Sequence, residues 1–345
     1  MCRPLLLCLT AASLLAASAA RAADPKPVEP GPWKFGTLLG VNLTQSAFSD
    51  NWKGGDRGSV VWVANGDLTL ERQFTTKFHL SNHLQAAYGQ TAQQVVDPAN
   101  PRQRAWDSPE KSTDLLALES VGRFSLGGYV DPFVSFRGET QFADQSSPIG
   151  TIRFNPVTLK ETAGIARVFE KTDSTQAISR IGFAFRETIA KSFVDAVTKE
   201  KQSFTATDGG IDWQTEVTQP ILGGRVLYKG ALGVYKALFY SKSDQLKAFD
   251  VRADSAAAAN GTTHAAVADY WKAVDVSFQN TFTAQITKIL SVNLFAQWAY
   301  DKFDAAANLD PTQTFQSIQA EVQRNTRRAG QFKETLALGL TYRLF

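Results

Sequence analysis

Apolar and polar side chains alternate with a period of two along most of this chain. Successive side chains of a strand point to opposite faces, so alternation sustained over some ten residues marks a strand with one greasy and one polar face. Between Thr335 and Phe345, Leu336, Leu338, Leu340, Tyr342 and Leu344 share one parity, and Thr335, Ala337, Gly339, Thr341 and Arg343 the other. Near the other end, Phe35, Leu39, Val41 and Leu43 oppose Gly36, Gly40, Asn42 and Thr44. Val60, Trp62, Ala64, Leu68 and Leu70 then oppose Asn65, Asp67, Thr69 and Glu71. Phe78, Leu80, Leu84, Ala86 and Tyr88 oppose Lys77, His79, Ser81, His83 and Gln85. Further strands are expected near 113–126, 129–143, 157–171, 178–194, 208–219, 224–241, 266–286, 288–303 and 331–345. The total is about twelve, an even number as in single-chain bacterial barrels.

The links alternate as well. Those around 73–76, 126–129, 172–177, 220–223 and 286–288 are short, whereas 48–57, 92–112, 144–156, 195–207, 242–265 and 304–330 are long and rich in Pro, Asn, Asp, Ser and Ala. Short turns on one rim and long loops on the other belong to a transmembrane barrel. Beyond residue 22 no apolar stretch reaches the ~20 residues of a spanning helix, and a closed barrel is the other structure that pairs every backbone group in lipid. The expected fold is all-β: a transmembrane antiparallel up-and-down β-barrel over residues 33–345, with short periplasmic turns and long extracellular loops. Trp62, Tyr88, Phe142, Trp213, Tyr240, Trp298, Tyr300 and Tyr342 fall near strand ends on the apolar parity, where aromatic belts sit. One segment, Thr312 to Arg328, has helical spacing instead (Phe315, Ile318, Val322), and its Arg324, Arg327 and Arg328 could meet lipopolysaccharide phosphates.

The first residues carry an address. Arg3 precedes an apolar run from Leu5 to Ala20, and small residues flank Arg21, so residues 1–22 are expected to be a secretory signal peptide. Residues 23–32 form a proline-rich periplasmic lead, too short for a plug domain. Cys2 and Cys8 leave with the signal, so a disulfide framework and thiolate metal sites are excluded. The formal charge of +3 falls to +1 once Arg3 and Arg21 are removed, which argues against a nucleic-acid partner. The expected location is a Gram-negative outer membrane, with both chain ends periplasmic and membrane lipid as the surrounding partner.

Several short motifs carry a family resemblance. They are Asn42 to Ser46 followed by Asn51 to Gly55; Tyr88 with Gly89; Asp131 and Pro132 leading into Arg137, Gly138 and Glu139; Asn155 and Pro156 with Leu159 to Glu161; and Gly182 to Thr188. Together they resemble an uncharacterised family of bacterial outer-membrane β-barrel proteins, a domain of unknown function. The resemblance implies a barrel and a location, and brings no catalytic residues. Leu340, Tyr342, Leu344 and Phe345 form the expected signal for the outer-membrane assembly machinery. Phe345 is out of phase with the others, so either a bulge rotates it or Tyr342 and Leu344 carry the recognition.

With the apolar parity facing lipid, the opposite parity lines a lumen. Its candidates are Glu119, Arg123, Arg137, Glu139, Glu161, Arg167, Arg180, Arg186, Asp212, Glu216 and Asp275, with Asp301 at the end of its strand. Opposed arginines and carboxylates could leave a constriction that passes small polar or charged solutes. They could instead interlock as an ion-pair network that fills the barrel, leaving a structural or loop-mediated binding protein. Glu187 falls on the lipid parity, which a bulge near Arg186 or a rim position would explain.

A third reading is enzymatic. His79, Ser81 and Asn82 locally resemble outer-membrane phospholipases, and a His base beside a Ser nucleophile suits acyl transfer. Yet His79 and Ser81 share the polar parity, whereas such enzymes present their site to lipid, and no oxyanion-hole donors accompany them. The expectation is therefore a non-enzymatic barrel. His79 and His83 stand four residues apart on one strand face, ~13 Å, too far to share a metal ion. No Gly-rich phosphate loop, zinc spacing or calcium loop appears, so no cofactor is implied.

Overall fold

The structure, a computed structural model, describes residues 29–46, 57–96, 104–172, 174–195, 197–287, 290–304, 307–310 and 313–344. The expected signal peptide, most of the proline-rich lead, the Asn51 to Gly55 motif and Phe345 lie outside the described residues. Among them are twelve barrel strands: β1 (Lys34–Ser46), β2 (Ser59–Gln73), β3 (Phe78–Val96), β4 (Glu110–Phe124), β5 (Asp131–Thr140), β6 (Val157–Lys171), β7 (Gln176–Phe193), β8 (Lys201–Ile221), β9 (Val226–Tyr240), β10 (Val274–Gln285), β11 (Leu290–Tyr300) and β12 (Gln331–Leu344). Each pairs antiparallel with its successor, and β12 pairs with β1, so the sheet closes. Closure removes the edges that an open sheet would present to lipid.

The greasy parity faces out. Phe35, Leu39, Val41, Leu118, Val134, Phe136, Ile165, Ile181, Phe183, Ile211 and Leu338 are all exposed on the barrel's outside. Aromatic clusters bound this band. At the short-turn rim Trp33, Phe74, Phe78 and Phe124 follow one another with centroids 4.9–5.8 Å apart, and the Arg72 guanidinium lies 4.8 Å above Phe74. Toward the long-loop rim Trp62, Tyr88 and Phe142 form a second chain, and Phe185 meets Phe239. A closed barrel with an apolar girdle between aromatic belts spans a membrane. Tyr240 departs from the belt expected of it. It is buried and faces inward, because the chain bulges at Leu238 to turn it against the loops.

The long loops hold the molecule's apolar core. The segment after β9 forms α1 (Ser243–Ala259), where a plain loop was expected, and the segment after β11 forms α2 (Phe315–Asn325) as the helical spacing predicts. The Thr314 hydroxyl caps α2 by accepting from the Ser317 amide at 3.2 Å. Leu246, Phe249 and Ala253 of α1 pack with Ile318 and Val322 of α2, with Val267, Phe303, Ala307 and Leu309 of the connections, and with Ala206 and Tyr240 on the strand ends. The Asp250 carboxylate ties this cap together by accepting from the Val267 and Ala268 amides at 2.8–3.0 Å, with the His264 ring 2.9 Å away. Residues 266–273, read as strand from sequence, belong to the cap, and β8 starts at Lys201 rather than near 208.

Candidate functional site

The interior surface follows from the register. Because Leu118, Phe136, Ile181 and Trp213 face out, Glu119, Arg137, Arg180 and Asp212 face in. Small residues on the same inner face make room for these long side chains. Gly164 and Gly182 lie opposite each other, and a Cβ on Gly164 would sit 2.1 Å from the Ile181 carbonyl oxygen, so the two strands can approach this closely only with glycine there.

The inward charges form three groups, ordered by distance from the short-turn rim. Nearest that rim, Arg123 holds Asp131 at 2.8 Å, and Glu71 of β2 lies 3.3 Å from His79 and 3.2 Å from Lys171, which reaches it from β6 across the barrel. Farther in, Arg180 of β7 donates to Glu119 of β4 at 2.7 Å and to Glu216 of β8. Arg137 binds Glu139 at 2.7 Å and stands 3.8 Å from Glu119. Asp67 meets His83 at 2.9 Å. Toward the cap, Lys160 bridges to Asp212 at 3.1 Å, and Gln214 donates to the same carboxylate. Arg186 pairs with Asp208 at 2.9 Å and lies 3.8 Å from Asp275, while the Tyr235 hydroxyl donates to Asp208.

These pairs run over β2 to β9, most densely on β4–β9. The inward parity of β10 and β11 carries Ser277, Gln279, Thr281, Thr283, Asn293 and Gln297, polar but uncharged, together with Phe295 and Ala299, and Asp275 is the one lumen candidate expected from sequence on those two strands. The lumen is therefore one-sided: an ion-paired wall faces a neutral hydrogen-bonding wall. The network is also unevenly covered. The Arg180 side chain is 7% exposed while its partner Glu216, also inward, is 47% exposed. Such a carboxylate borders open space inside the barrel.

Above the last ion pairs sits Trp271, carried on the short turn Tyr270–Lys272 of the cap. It packs over Ala184, Tyr235 and Ala237 on the inner wall, and its ring centroid is 6.2 Å from that of Tyr240. Asn308, from the loop before α2, reaches Ser192 at the end of β7 at 3.3 Å, tying the cap to the far side of the mouth. Asp301, just past β11, stands beneath this cap, and burial, followed by the Asp304 charge, pushes its carboxyl above the usual carboxylate range.

Two sequence candidates point the other way. Glu161 and Arg167 share the parity of Ile165 and Phe169 and lie on the outside, because Glu161 stands opposite Phe136 and Phe185 in the ladders. The inward charge of that strand is Lys160. Arg167 instead lays its guanidinium 3.3 Å from the Tyr129 ring centroid. Glu187 also faces out. Its register with Leu159 and Thr207 is unbroken, which removes the bulge and leaves the rim explanation. Glu161 and Glu187 are diagonal neighbours, so they mark where the apolar band ends on β6 and β7. Asp208, Tyr235 and Lys160 were missed by sequence reasoning. Asp208 shares the parity of Asp212 and stands at the first position of the strand expected over 208–219, so its inward placement could have been read from the alternation.

His79 and Ser81 both face in, but the Asn82 amide lies on the opposite face and accepts from Ser120 at 2.7 Å. The nitrogen of His79 turns to Glu71 rather than to Ser81. Leu340 is outward and exposed, while Tyr342 and Leu344 stand opposite Leu39 and Thr37 in the closing ladder. Of the α2 arginines, Arg324 is paired with Glu321 at 2.9 Å and Arg327 lies 3.6 Å from Asp304, whereas Arg328 is exposed.

Residues 43–145 match a family described as "Protein of unknown function (DUF3078)", so over β1 to β5 the resemblance to a family of unknown function holds. No curated protein matches the sequence. Among solved structures the chain is similar to the translocator domain of the autotransporter NalP from Neisseria meningitidis, at 8% identity and a TM-score of 0.34, over 98% of this chain and 96% of that one. It is also similar to an outer membrane channel from Pseudomonas putida F1, at 12% identity and a TM-score of 0.36, over 93% and 96% of the two chains. The β domain of the Bordetella autotransporter BrkA follows at 13% identity and a TM-score of 0.29, over 90% and 98%.

Proposed function

We propose that this chain is a bacterial outer-membrane barrel that passes small polar or charged solutes passively, with the loop cap as its gate. The observation that carries the reading is the one-sided lumen. Most inward charges on β2–β9 are matched in pairs, so they set a transverse field at little cost in unpaired buried charge. The neutral wall of Ser277, Gln279, Thr281 and Gln297 offers hydrogen bonds to a solute stripped of part of its water. The half-exposed Glu216 carboxylate borders the open space between the two walls. Outer-membrane residence is supported by the apolar girdle and by the alternation of short turns with long loops. Short turns then face the periplasm, the cap faces outward, and the β12–β1 closure carries the assembly signal.

A second reading is favoured by the cap itself: its buried core and Trp271 close the mouth, which suits a plugged barrel acting through its outer loops. Planar-bilayer recording on the purified full chain separates the two. Trp271→Ala and a variant with residues 243–270 replaced by a short Gly-Ser linker are expected to raise conductance severalfold over the unmodified protein. Absence of current in all three at every voltage would remove the channel and leave the plugged barrel.

A further inference from the structure

We infer that the seam between β1 and β12 is a lateral portal, joining the lumen to the outer headgroup layer of the bilayer beneath the cap and admitting a single-chain amphiphile with an anionic head. The first observation is the ladder. β1 and β12 pair from Thr37↔Leu344 to Asn42↔Gly339. On its other side β1 stays paired to its last residue, Ser46↔Ser59, and β12 stays paired with β11 as far as Ala299↔Gln331. Among the described residues, Leu43–Ser46 and Gln331–Leu338 therefore continue as strands beyond the point where they pair with each other. The wall divides there into two lips.

The second observation is exposure, which is independent of pairing. In the closed part of the wall, one parity faces lipid and the other is covered by the interior. On β12, every residue from Gln331 to Leu336 is exposed, both parities alike. Leu336 is 68% exposed, against 59% for Leu340 where the seam is paired and 48% for Phe183 in the unbroken wall.

Depth decides what the opening meets. Leu43 stands opposite Trp62 of the upper aromatic belt, and Phe332 stands opposite Trp298. The outward Glu334 marks the end of the apolar band on β12, as Glu161 and Glu187 do on β6 and β7. The lips therefore part at the upper edge of the apolar girdle, where hydrocarbon gives way to headgroups. Strand edges carry polar backbone groups, which hydrocarbon cannot satisfy and the wet headgroup layer can. The chemistry of the lips is amphipathic to match. Leu43, Leu336 and Leu338 face outward toward acyl chains. Thr44, Lys333 and Thr335 face inward, and Lys333 forms no ion pair among the described residues. Glu334 is outward, on the face away from that ammonium group. An acyl tail would lie between the leucines, with its anionic head on Lys333 beside the hydrogen-bonding wall of Gln297 and Ser277. Because Trp271 and the cap cover the mouth, the seam gives the lumen a way out that does not require the cap to move.

The inference stands apart from conduction along the whole lumen, which is read by current. Its test is photolabelling of the full chain in phospholipid nanodiscs with a fatty acid bearing a diazirine in its tail, mapped by peptide mass spectrometry. Label is expected on the inward positions Thr44, Lys333 and Thr335 as well as on outward Leu336, with Gln279 in the closed wall unlabelled. Thr44→Cys with Ala337→Cys would face each other if the register continued, so oxidation of that pair zips the seam. Inner-lip labelling is then expected to fall severalfold and to return on reduction, and Lys333→Glu is expected to lower it severalfold without a disulfide. Label confined to outward residues, or inner-lip label indifferent to the zipped seam, would overturn the portal. Should the cysteine pair block assembly, spin labels at Leu43 and Leu338 decide. Weak dipolar broadening is expected of parted lips, and the strong broadening of a ~5 Å ladder spacing would overturn it.

Discussion

Arg180 links three strands, since one guanidinium reaches Glu119 on β4 and Glu216 on the neighbouring β8. A planar fork with fixed donors suits this double role, and a lysine would serve only one carboxylate at a time. Removing it strands two inward carboxylates, of which Glu119 is the more deeply placed. Arg180→Ala is expected to cost about 3 kcal/mol, the low end for a broken buried pair because Glu216 is half-exposed. Urea unfolding in lipid vesicles checks it, and adding Glu119→Gln is expected to recover part of the loss; equal stability of wild type and R180A would mean water already satisfies the pair. Such residues were legible because their parity was clean: Leu118, Ile181 and Trp213 flank them and face out. Legibility failed on β6, where Leu159, Ile165 and Phe169 share a parity with Glu161 and Arg167. Type alone suggested the lumen for those two charges, but alternation ranks above residue type, and their outward placement follows from it.

At the scale of elements, the strands were readable and the loops were not, for a physical reason. A transmembrane strand must alternate because lipid lies on one side and a polar interior on the other, so its pattern is forced locally. The cap obeys no such rule; its core forms from pieces of two loops distant in sequence. Leu246, Phe249 and Ala253 do carry helical spacing, and the Ala256–Ala259 run favours helix, yet nothing in the sequence says what they pack against. Likewise β8 begins seven residues before its expected start, paired with β7 from Lys201↔Phe193, and its Ala206 packs under the cap. Asp250 is where the cap's parts meet, as a carboxylate accepting two backbone amides and facing His264. Asp250→Asn keeps the size and loses the charge, at a cost of about 1–2 kcal/mol for charge-assisted hydrogen bonds. Limited proteolysis of the protein in membranes is expected to cut within 255–270 faster in this variant, with the barrel fragment unchanged. An unchanged cutting rate would show that the apolar core alone holds the cap.

For the whole molecule, the apolar core lies outside the membrane and the charges lie within it, so the two parts respond to different variables. The barrel is held by backbone pairing and matched ions, whereas the cap is seated by hydrophobic packing above a group of carboxylates. Beneath it Asp301 faces Asp304, Asp275 and the two cations Arg186 and Arg327. Burial and the neighbouring acid raise the Asp301 carboxyl in the seated state, so that state binds its proton more readily than an open one. The sign follows: below the ordinary carboxylate value of ~4 the proton is held in both states and the seated cap has its full stability. As pH rises from there through the raised value, the seated state alone keeps the proton and then pays to lose it, so seating weakens. Currents through the reconstituted protein are therefore expected to grow as the cap-side solution is taken from acid toward neutral pH. Asp301→Asn, which cannot ionise, is expected to flatten that dependence while leaving selectivity to the ion-paired wall. A current that falls as pH rises, or a profile identical in D301N, would place the pH response in the lumen and not at the mouth.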